Sequence, residues 1–258
     1  MRLDGDTALA LSEDAATLAL LNDREATPDM LAELKAIGFP NNLGMLPRNE
    51  KGRTVFEVMK DTVSLLPDVP DVAFMDNLAA DYAAIYLTGA LDVSPFESFW
   101  LSDEHLLCQE PMFEMRNLYT AEGLTVPDWR QRPDDHLVYE LQFLSRRLKW
   151  LANGMANNNV VATRNEWRSL AMLLDHHLLR WLPDFAIRVT QRCDTAFYGA
   201  LALITDAWCQ QLRDVIALHL GEPRPSKEEV EAMLRPQLTG EARPEPLQFM
   251  PGSGGPSW

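Results

Sequence analysis

The feature of this sequence that most restricts its fold is the repetition of apolar residues at helical spacing. The clearest example is a series of five leucines separated by three or four residues, namely Leu137, Leu141, Leu144, Leu148 and Leu151. Such spacing places the side chains on one face of an α-helix. Residues 139–143 also alternate between apolar and polar, as a strand would, but the longer leucine series favours a helix.

The same periodicity occurs in residues 78–89, 167–181 and 197–215, and local start and stop signals agree with it. Thr27 precedes Pro28, which predicts a capped helix start, and Gly38 can end that helix.

Two further signals concern helix ends later in the chain. Asp134 or Asp135 is predicted to cap the leucine-lined helix, because a short carboxylate accepts hydrogen bonds from free N–H groups. Pro183 is expected to end or interrupt the helix that precedes it.

No convincing strand pattern bounded by turn pairs is found, so the sequence predicts an all-α protein with a single multi-helix globular domain. Ser226 and Glu229 fit a capping box, which indicates a short helix over residues 226–235. The predicted divisions are an acidic N-terminal segment at 1–14, a helical domain at 15–220 and a flexible, proline-rich tail at 221–258.

Composition narrows the function. The 258 residues include 23 Lys plus Arg and 38 Asp plus Glu, for a formal net charge of −15. This charge disfavours binding to nucleic acid or to an anionic membrane surface, and favours a basic partner such as an arginine-bearing peptide. No apolar run approaches the length of a membrane span, so stable membrane insertion is not expected. The absence of a signal-peptide pattern and the odd count of three cysteines predict a cytoplasmic protein.

Motifs for enzymatic chemistry are scarce. The sequence contains neither a dinucleotide-binding glycine motif nor a phosphate-binding loop. His105 and Cys108 have a spacing that could suit zinc, but no second pair stands in register. We therefore predict no metal and no cofactor.

Two segments suggest a binding site. In the first, Phe96, Glu97 and Trp100 follow a turn and combine aromatic area with an acid, which suits an amphipathic peptide. Earlier in this segment, Tyr82 and Tyr86 lie one helical turn apart, and an aromatic core stripe is the competing interpretation.

The second segment carries Asp135 and His136 at the start of the leucine-lined helix. A carboxylate beside an imidazole could act as an acid–base pair, but no nucleophile, metal site or oxyanion cradle accompanies it. A binding or hinge role fits the segment better than catalysis.

Together with a third segment, these residues resemble the TorD/DmsD-type chaperones of molybdoenzymes, a group that includes the NarJ-like proteins. The first matching segment contains Tyr82, Tyr86, Leu87, Gly89, Pro95, Phe96, Glu97 and Ser98. The second contains Asp135, His136, Leu137, Glu140, Leu141, Gln142 and Phe143, and the third contains His177, Leu178, Trp181, Pro183 and Phe185. The chain departs from the family in its long proline-rich tail and in Phe96, where a tyrosine is common.

The resemblance implies a non-enzymatic, cytoplasmic chaperone of a molybdoenzyme catalytic subunit. Such a protein would bind the subunit's twin-arginine leader peptide, delay export and assist cofactor insertion. Family members also exchange helices between subunits, so a helix-swapped homodimer is expected, with residues 125–133 as its hinge.

The predicted peptide-binding residues are Tyr82, Tyr86, Phe96, Glu97, Trp100, Asp135, His136, His177 and Trp181. Two other hypotheses stay open at this stage. One is a helical adaptor that binds a partner through its tail, and the other is an enzyme that uses Asp135 and His136 as an acid–base pair.

Overall fold

The computed structural model describes residues 3–89, 92–156 and 160–235. Its helices are α1 (Gly5–Asp23), α2 (Pro28–Ala36), α3 (Glu50–Ser64), α4 (Val72–Tyr82), α5 (Glu97–Leu101), α6 (Glu110–Ala121), α7 (Leu137–Ala156), α8 (Val160–Leu173), α9 (Leu179–Arg192), α10 (Ala196–Leu220) and α11 (Lys227–Leu234). Two π-helical turns occur, one extending α4 (Ala83–Leu87) and one joining α8 to α9 (Leu174–Leu178). Within these ranges no β-strand forms, which confirms the predicted all-α class.

The core lies between α7 and α10 and the helices that pack on them. α1 packs along α7, while α3 and α9 both pack against α10. All five leucines of the periodic series are 1% exposed or less, so the predicted face of α7 is the buried one. None of the helices in the described ranges combines the length and apolarity that crossing a membrane requires.

The predicted local signals of α2 are present in the structure. The Thr27 hydroxyl accepts a hydrogen bond from the N–H of Met30, and Pro28 occupies the first helical position. Gly38 follows the helix with a φ of +67°, a left-handed conformation that a residue without Cβ adopts at little cost.

The start of the chain differs from the sequence prediction. The predicted boundary at residue 14 falls inside α1, which begins at Gly5 and packs along α7. Asp14 itself is buried and accepts hydrogen bonds from the backbone N–H groups of Gly44 and Met45 and from the indole of Trp208. Asp14 is therefore not a surface acid: its carboxylate connects α1 to residues 44–45 and to α10.

Of the two outcomes expected for Pro183, that it ends or interrupts the preceding helix, the first is wrong. Pro183 lies inside α9, which continues to Arg192. A proline has no N–H to donate to the carbonyl four residues earlier, which here is that of Leu179. Leu179 is the first residue of α9, directly after the π-helical turn, so the missing hydrogen bond falls at the start of the helix.

At the other end of the chain, the helix predicted at 226–235 corresponds to α11. Ser226 and Glu229 form the capping box, each side chain bonding to the other residue's backbone N–H. The remainder of the predicted tail, residues 236–258, lies outside the described residues.

Candidate functional site

The two candidate segments meet in space. Phe96 and His136 form an isolated antiparallel β-bridge, in which the N–H of Glu97 donates to the carbonyl of Asp135 at 3.0 Å. The bridge joins the start of α5 to the start of α7, although about 40 residues separate them in the sequence.

Asp135 caps α5 and not its own helix. One carboxylate oxygen accepts from both the backbone N–H of Ser98, at 2.8 Å, and the Ser98 hydroxyl, at 2.5 Å. Burial raises the pKa of Asp135, and the two hydrogen bonds from Ser98 oppose that rise. Asp134 pairs with Arg116 at 2.8 Å. The predicted aspartate cap of α7 is therefore wrong, because both carboxylates are engaged by partners from distant segments.

His136 occupies the capping position of α7 instead. Its Nδ1 accepts a hydrogen bond from the backbone N–H of Val138 at 3.1 Å, so the imidazole proton lies on Nε2. The ring is buried and packs edge-on against Phe96. Burial holds the pKa of His136 well below its usual value, with Arg132 acting in the same direction.

Glu97 pairs with a histidine from the third segment. His177 Nδ1 lies 3.0 Å from one carboxylate oxygen of Glu97, and Arg180 approaches the other oxygen at 4.0 Å. Glu97 is fully buried, and burial raises its pKa against the favourable effect of His177. The pair connects α5 to the π-helical turn before α9.

A third buried carboxylate completes the network. Glu140 accepts a hydrogen bond from the Trp181 indole at 3.4 Å, and burial, reinforced by Glu97 and Asp135, raises its pKa well above the usual value. Glu97, Asp135 and Glu140 each have one buried oxygen without a hydrogen-bond partner in the described structure. We call Glu97, Asp135, His136, Glu140, His177 and Trp181 the buried polar network.

The remaining predicted site residues occupy two other places. Trp100 is half-buried, donates its indole N–H to the carbonyl of Ser94 at 2.7 Å and packs on Phe185, which also contacts Trp181. Tyr82 and Tyr86 stack on each other in a separate cluster.

That tyrosine cluster is tied to α1. Tyr82 and Tyr86 both lie near Tyr198, and their hydroxyls donate to the Asp23 carbonyl and to the Asn22 side chain respectively. Both tyrosines are buried, as a core stripe would be, and their hydroxyls bond to α1 and not to a member of the buried polar network.

Burial has two consequences for the sequence hypotheses. Glu97, Asp135, His136 and His177 are all buried, so none presents its charge or imidazole on the surface of this conformation. Their peptide-binding role stays a prediction. The acid–base pair is not assembled, because Asp135 bonds to Ser98 while His136 accepts from Val138.

The sequence interpretation did not identify the accessible acids beside the network. A surface pocket of about 500 Å³ lies between α6, the segment after α5 and the end of α11. Its lining includes four carboxylates, Asp103, Glu104, Glu110 and Glu114. Asp103 and Glu104 are adjacent in a loop, and Glu110 and Glu114 lie one turn apart on α6, so the fold is needed to bring the two pairs together. We call this the acidic pocket.

Arg180 connects the acidic pocket to the network. It lines the pocket together with Leu234, while its guanidinium lies 4.0 Å from Glu97. Its firmest partner is Glu231 of α11, with hydrogen bonds of 2.8 and 3.1 Å to the two carboxylate oxygens. In the described part of the chain, no group of three or more His, Cys, Asp or Glu side chains is arranged to hold a metal ion.

Comparison with known proteins shows what the chain is similar to. The family model described as nitrate reductase delta subunit matches residues 60–186, which contain the whole buried polar network. Twenty-one curated proteins match significantly. The TorD chaperone protein of Vibrio cholerae serotype O1 is 34% identical over 136 residues, covering 52% of this chain and 60% of the relative.

Other TorD chaperone proteins align over more of their length. The one from Vibrio parahaemolyticus is 26% identical over 191 residues, covering 72% of this chain and 85% of the relative. The TorD chaperone protein from Psychrobacter sp. is 29% identical over 187 residues, covering 69% of this chain and 78% of the relative. The chain is therefore similar to TorD-type chaperone proteins.

Proposed function

We propose that this protein is a cytoplasmic, non-enzymatic chaperone that binds the twin-arginine leader of a molybdoenzyme catalytic subunit, delays its export and aids cofactor insertion. The similarity to TorD chaperone proteins and to the nitrate reductase delta subunit family model supports the chaperone function. The unassembled pair of Asp135 and His136 argues against the enzyme hypothesis.

The acidic pocket is the observation that carries the leader proposal. A twin-arginine leader presents two guanidinium groups beside an apolar segment, so its receptor needs accessible carboxylates next to apolar surface. The pocket supplies both, since its four acids stand beside Leu101, Leu106, Pro111 and Leu234. The formal charge of −15 adds a long-range attraction for such a peptide.

In this proposal the buried polar network positions the pocket. Glu97 and Asp135 hold α5 against α7 and α9, and the segment that follows α5 forms one pocket wall. The predicted peptide-binding residues would then act mainly by shaping the receptor, with half-buried Phe96 and Trp100 as the members closest to solvent.

Calorimetric titration of a synthetic leader peptide tests the proposal. The peptide carries two adjacent arginines ahead of an apolar segment. Glu110→Gln and Glu114→Gln should each weaken its binding about tenfold, since a charge-assisted hydrogen bond contributes about 1.5–3 kcal/mol. Both variants should keep the melting temperature. Glu33→Gln, an exposed acid on α2, is the matched control and should bind normally.

Asp135→Asn, His136→Ala and Glu97→Gln complete the set. If they weaken binding only as they lower the melting temperature, their role is positioning. Normal affinity in both pocket variants, with a loss in stable network variants, would reject the acidic pocket and return direct peptide contact to the network.

A further inference from the structure

A second groove runs along the outer face of α7, away from the acidic pocket. It consists of two adjoining pockets of about 520 and 500 Å³ that share Arg146. The residues of α7 that line it extend from Tyr139 to Asn153. At 1.5 Å per residue this stretch is about 21 Å long, enough for a short peptide segment. We call it the α7 groove.

One end of the α7 groove is apolar. Leu124, Val126 and Pro127, from the segment between α6 and α7, face Phe143 and Tyr139 of α7 across the pocket. Arg132 closes this end by forming an ion pair with Asp23.

The other end presents positive charge. The two acids there, Glu122 and Glu166, are both paired with Arg147, at 2.7 and 2.5 Å. The Arg146 side chain is 57% exposed, and its Nε lies 3.8 Å from a carboxylate oxygen of Glu122, a longer distance than in the pairs of Arg147. Lys149 is exposed and has no ion-pair partner in the described structure.

Trp150 stands beside these cations and is 58% exposed. It is therefore a large exposed aromatic side chain flanked by the two cations Arg146 and Lys149. Tryptophan and arginine are among the residues enriched at the centres of protein interfaces.

We propose that the α7 groove binds a segment of the client protein outside its leader, one with apolar side chains followed by carboxylates. The apolar part fits the end lined by Leu124 and Phe143, and the carboxylates fit Arg146 and Lys149. The inference rests on the proposed chaperone function. It assigns the leader and the rest of the client to surfaces of opposite charge, because Arg146 and Lys149 repel the arginines that the acidic pocket attracts.

Fluorescence polarisation with two synthetic probes tests the groove. Both are labelled 12-residue peptides with the same leucine-rich half; one ends in three glutamates and the other in three glutamines. The full chain should bind the glutamate probe at least tenfold more tightly than the glutamine probe. Equal binding of the two probes would overturn the charge assignment.

Three variants locate the binding. Arg146→Glu and Lys149→Glu should each weaken binding of the glutamate probe about tenfold. Lys60→Glu, on α3, makes the same change in net charge at a residue that lines neither pocket, and should change binding less than twofold. An equal loss in all three variants would show a non-specific charge effect and reject the site.

Competition separates this inference from the proposed function. The leaderless catalytic subunit that co-purifies with this chain should displace the glutamate probe, and the twin-arginine leader peptide should not. Displacement by the leader, or none by the subunit, would overturn the inference. Should the leader peptide bind nowhere while the subunit still displaces the probe, the α7 groove stands and leader binding fails.

Discussion

At the scale of single residues, Glu140 shows how strongly the interior of this protein controls charge. It is fully buried, receives one long hydrogen bond from Trp181 and lies within electrostatic reach of Glu97 and Asp135. No cation contacts its carboxylate in the described structure. Ionising Glu140 in the folded state is therefore costly, and its raised pKa expresses that cost.

Glu140→Gln should increase stability at alkaline pH. Because the folded pKa lies above that of the unfolded chain, the wild type loses stability as pH rises from about 4.5 through the folded pKa. Glutamine keeps an acceptor for Trp181 and does not titrate. Chemical denaturation at pH 5 and pH 8 measures the free energy of unfolding. The value for the variant, relative to the wild type, should be higher at pH 8 than at pH 5.

The exposed Glu33→Gln variant is the control and should follow the wild type at both pH values. A Glu140→Gln protein whose stability runs parallel to the wild type from pH 5 to 8 would mean that Glu140 titrates normally. In that case an unseen partner must compensate its burial.

At the scale of elements, the bond between Asp135 and Ser98 fixes α5 on α7. α5 has only five residues, too few for a stable helix alone, and its capping residue Phe96 offers no side-chain hydrogen bond. The carboxylate of Asp135 replaces that cap from across the bridge.

Asp135→Ala should lower the free energy of unfolding by about 2 kcal/mol, because it leaves the N–H and hydroxyl of Ser98 buried without an acceptor. Asp135→Asn keeps one acceptor oxygen and should cost less than about 1 kcal/mol. Denaturant unfolding measures both. Similar losses in the two variants would show that the charge, and not the hydrogen bonds, stabilises the junction.

A second element, α11, is attached mainly by polar contacts. Val230 is its single buried residue, and Arg180 holds Glu231 through two hydrogen bonds. Glu231→Gln should speed amide hydrogen exchange in residues 227–235 up to about fivefold, matching the loss of up to about 1 kcal/mol for a partly exposed ion pair.

Glu33→Gln, an exposed acid on α2, makes the same charge change at a residue outside α11. It should leave exchange in α11 nearly unchanged. Equal acceleration in both variants would point to the net charge of the chain, not to the contact with Arg180, as the source of attachment.

The helices were predictable from the sequence, whereas the chemistry of the site was only partly so. Helical periodicity is local, and the leucine series of α7 is buried as expected. Whether a carboxylate is buried depends on partners from distant segments. Asp135 bonds to Ser98, and Glu97 pairs with His177. Sequence spacing does not reveal either partner, so both acids were expected on the surface. The three matching segments nevertheless contain all six members of the network, and all of these except Glu140 were among the predicted site residues.

At the scale of the whole molecule, one network joins segments spread over the middle of the chain. It connects α5, α7 and the region leading into α9, and the family model covers all of them. α1 lies outside the matched range yet packs along α7. Reciprocal hydrogen bonds between Ser12 and Ser145 join the two helices, each hydroxyl donating to the other residue's carbonyl at 2.8 Å.

This packing makes the first helix part of the domain, and α1 offers two leucines that test the point. Leu11 is 0% exposed and belongs to the main core, whereas Leu9 is 41% exposed on the same helix. Leu11→Ala should lower the free energy of unfolding by about 3 kcal/mol, through lost burial and the cavity left behind. Leu9→Ala should change it by less than about 0.5 kcal/mol. Two-state denaturant unfolding distinguishes the outcomes: equal, small effects would restore residues 1–14 as a segment separate from the folded domain, while the predicted difference makes α1 a support of α7.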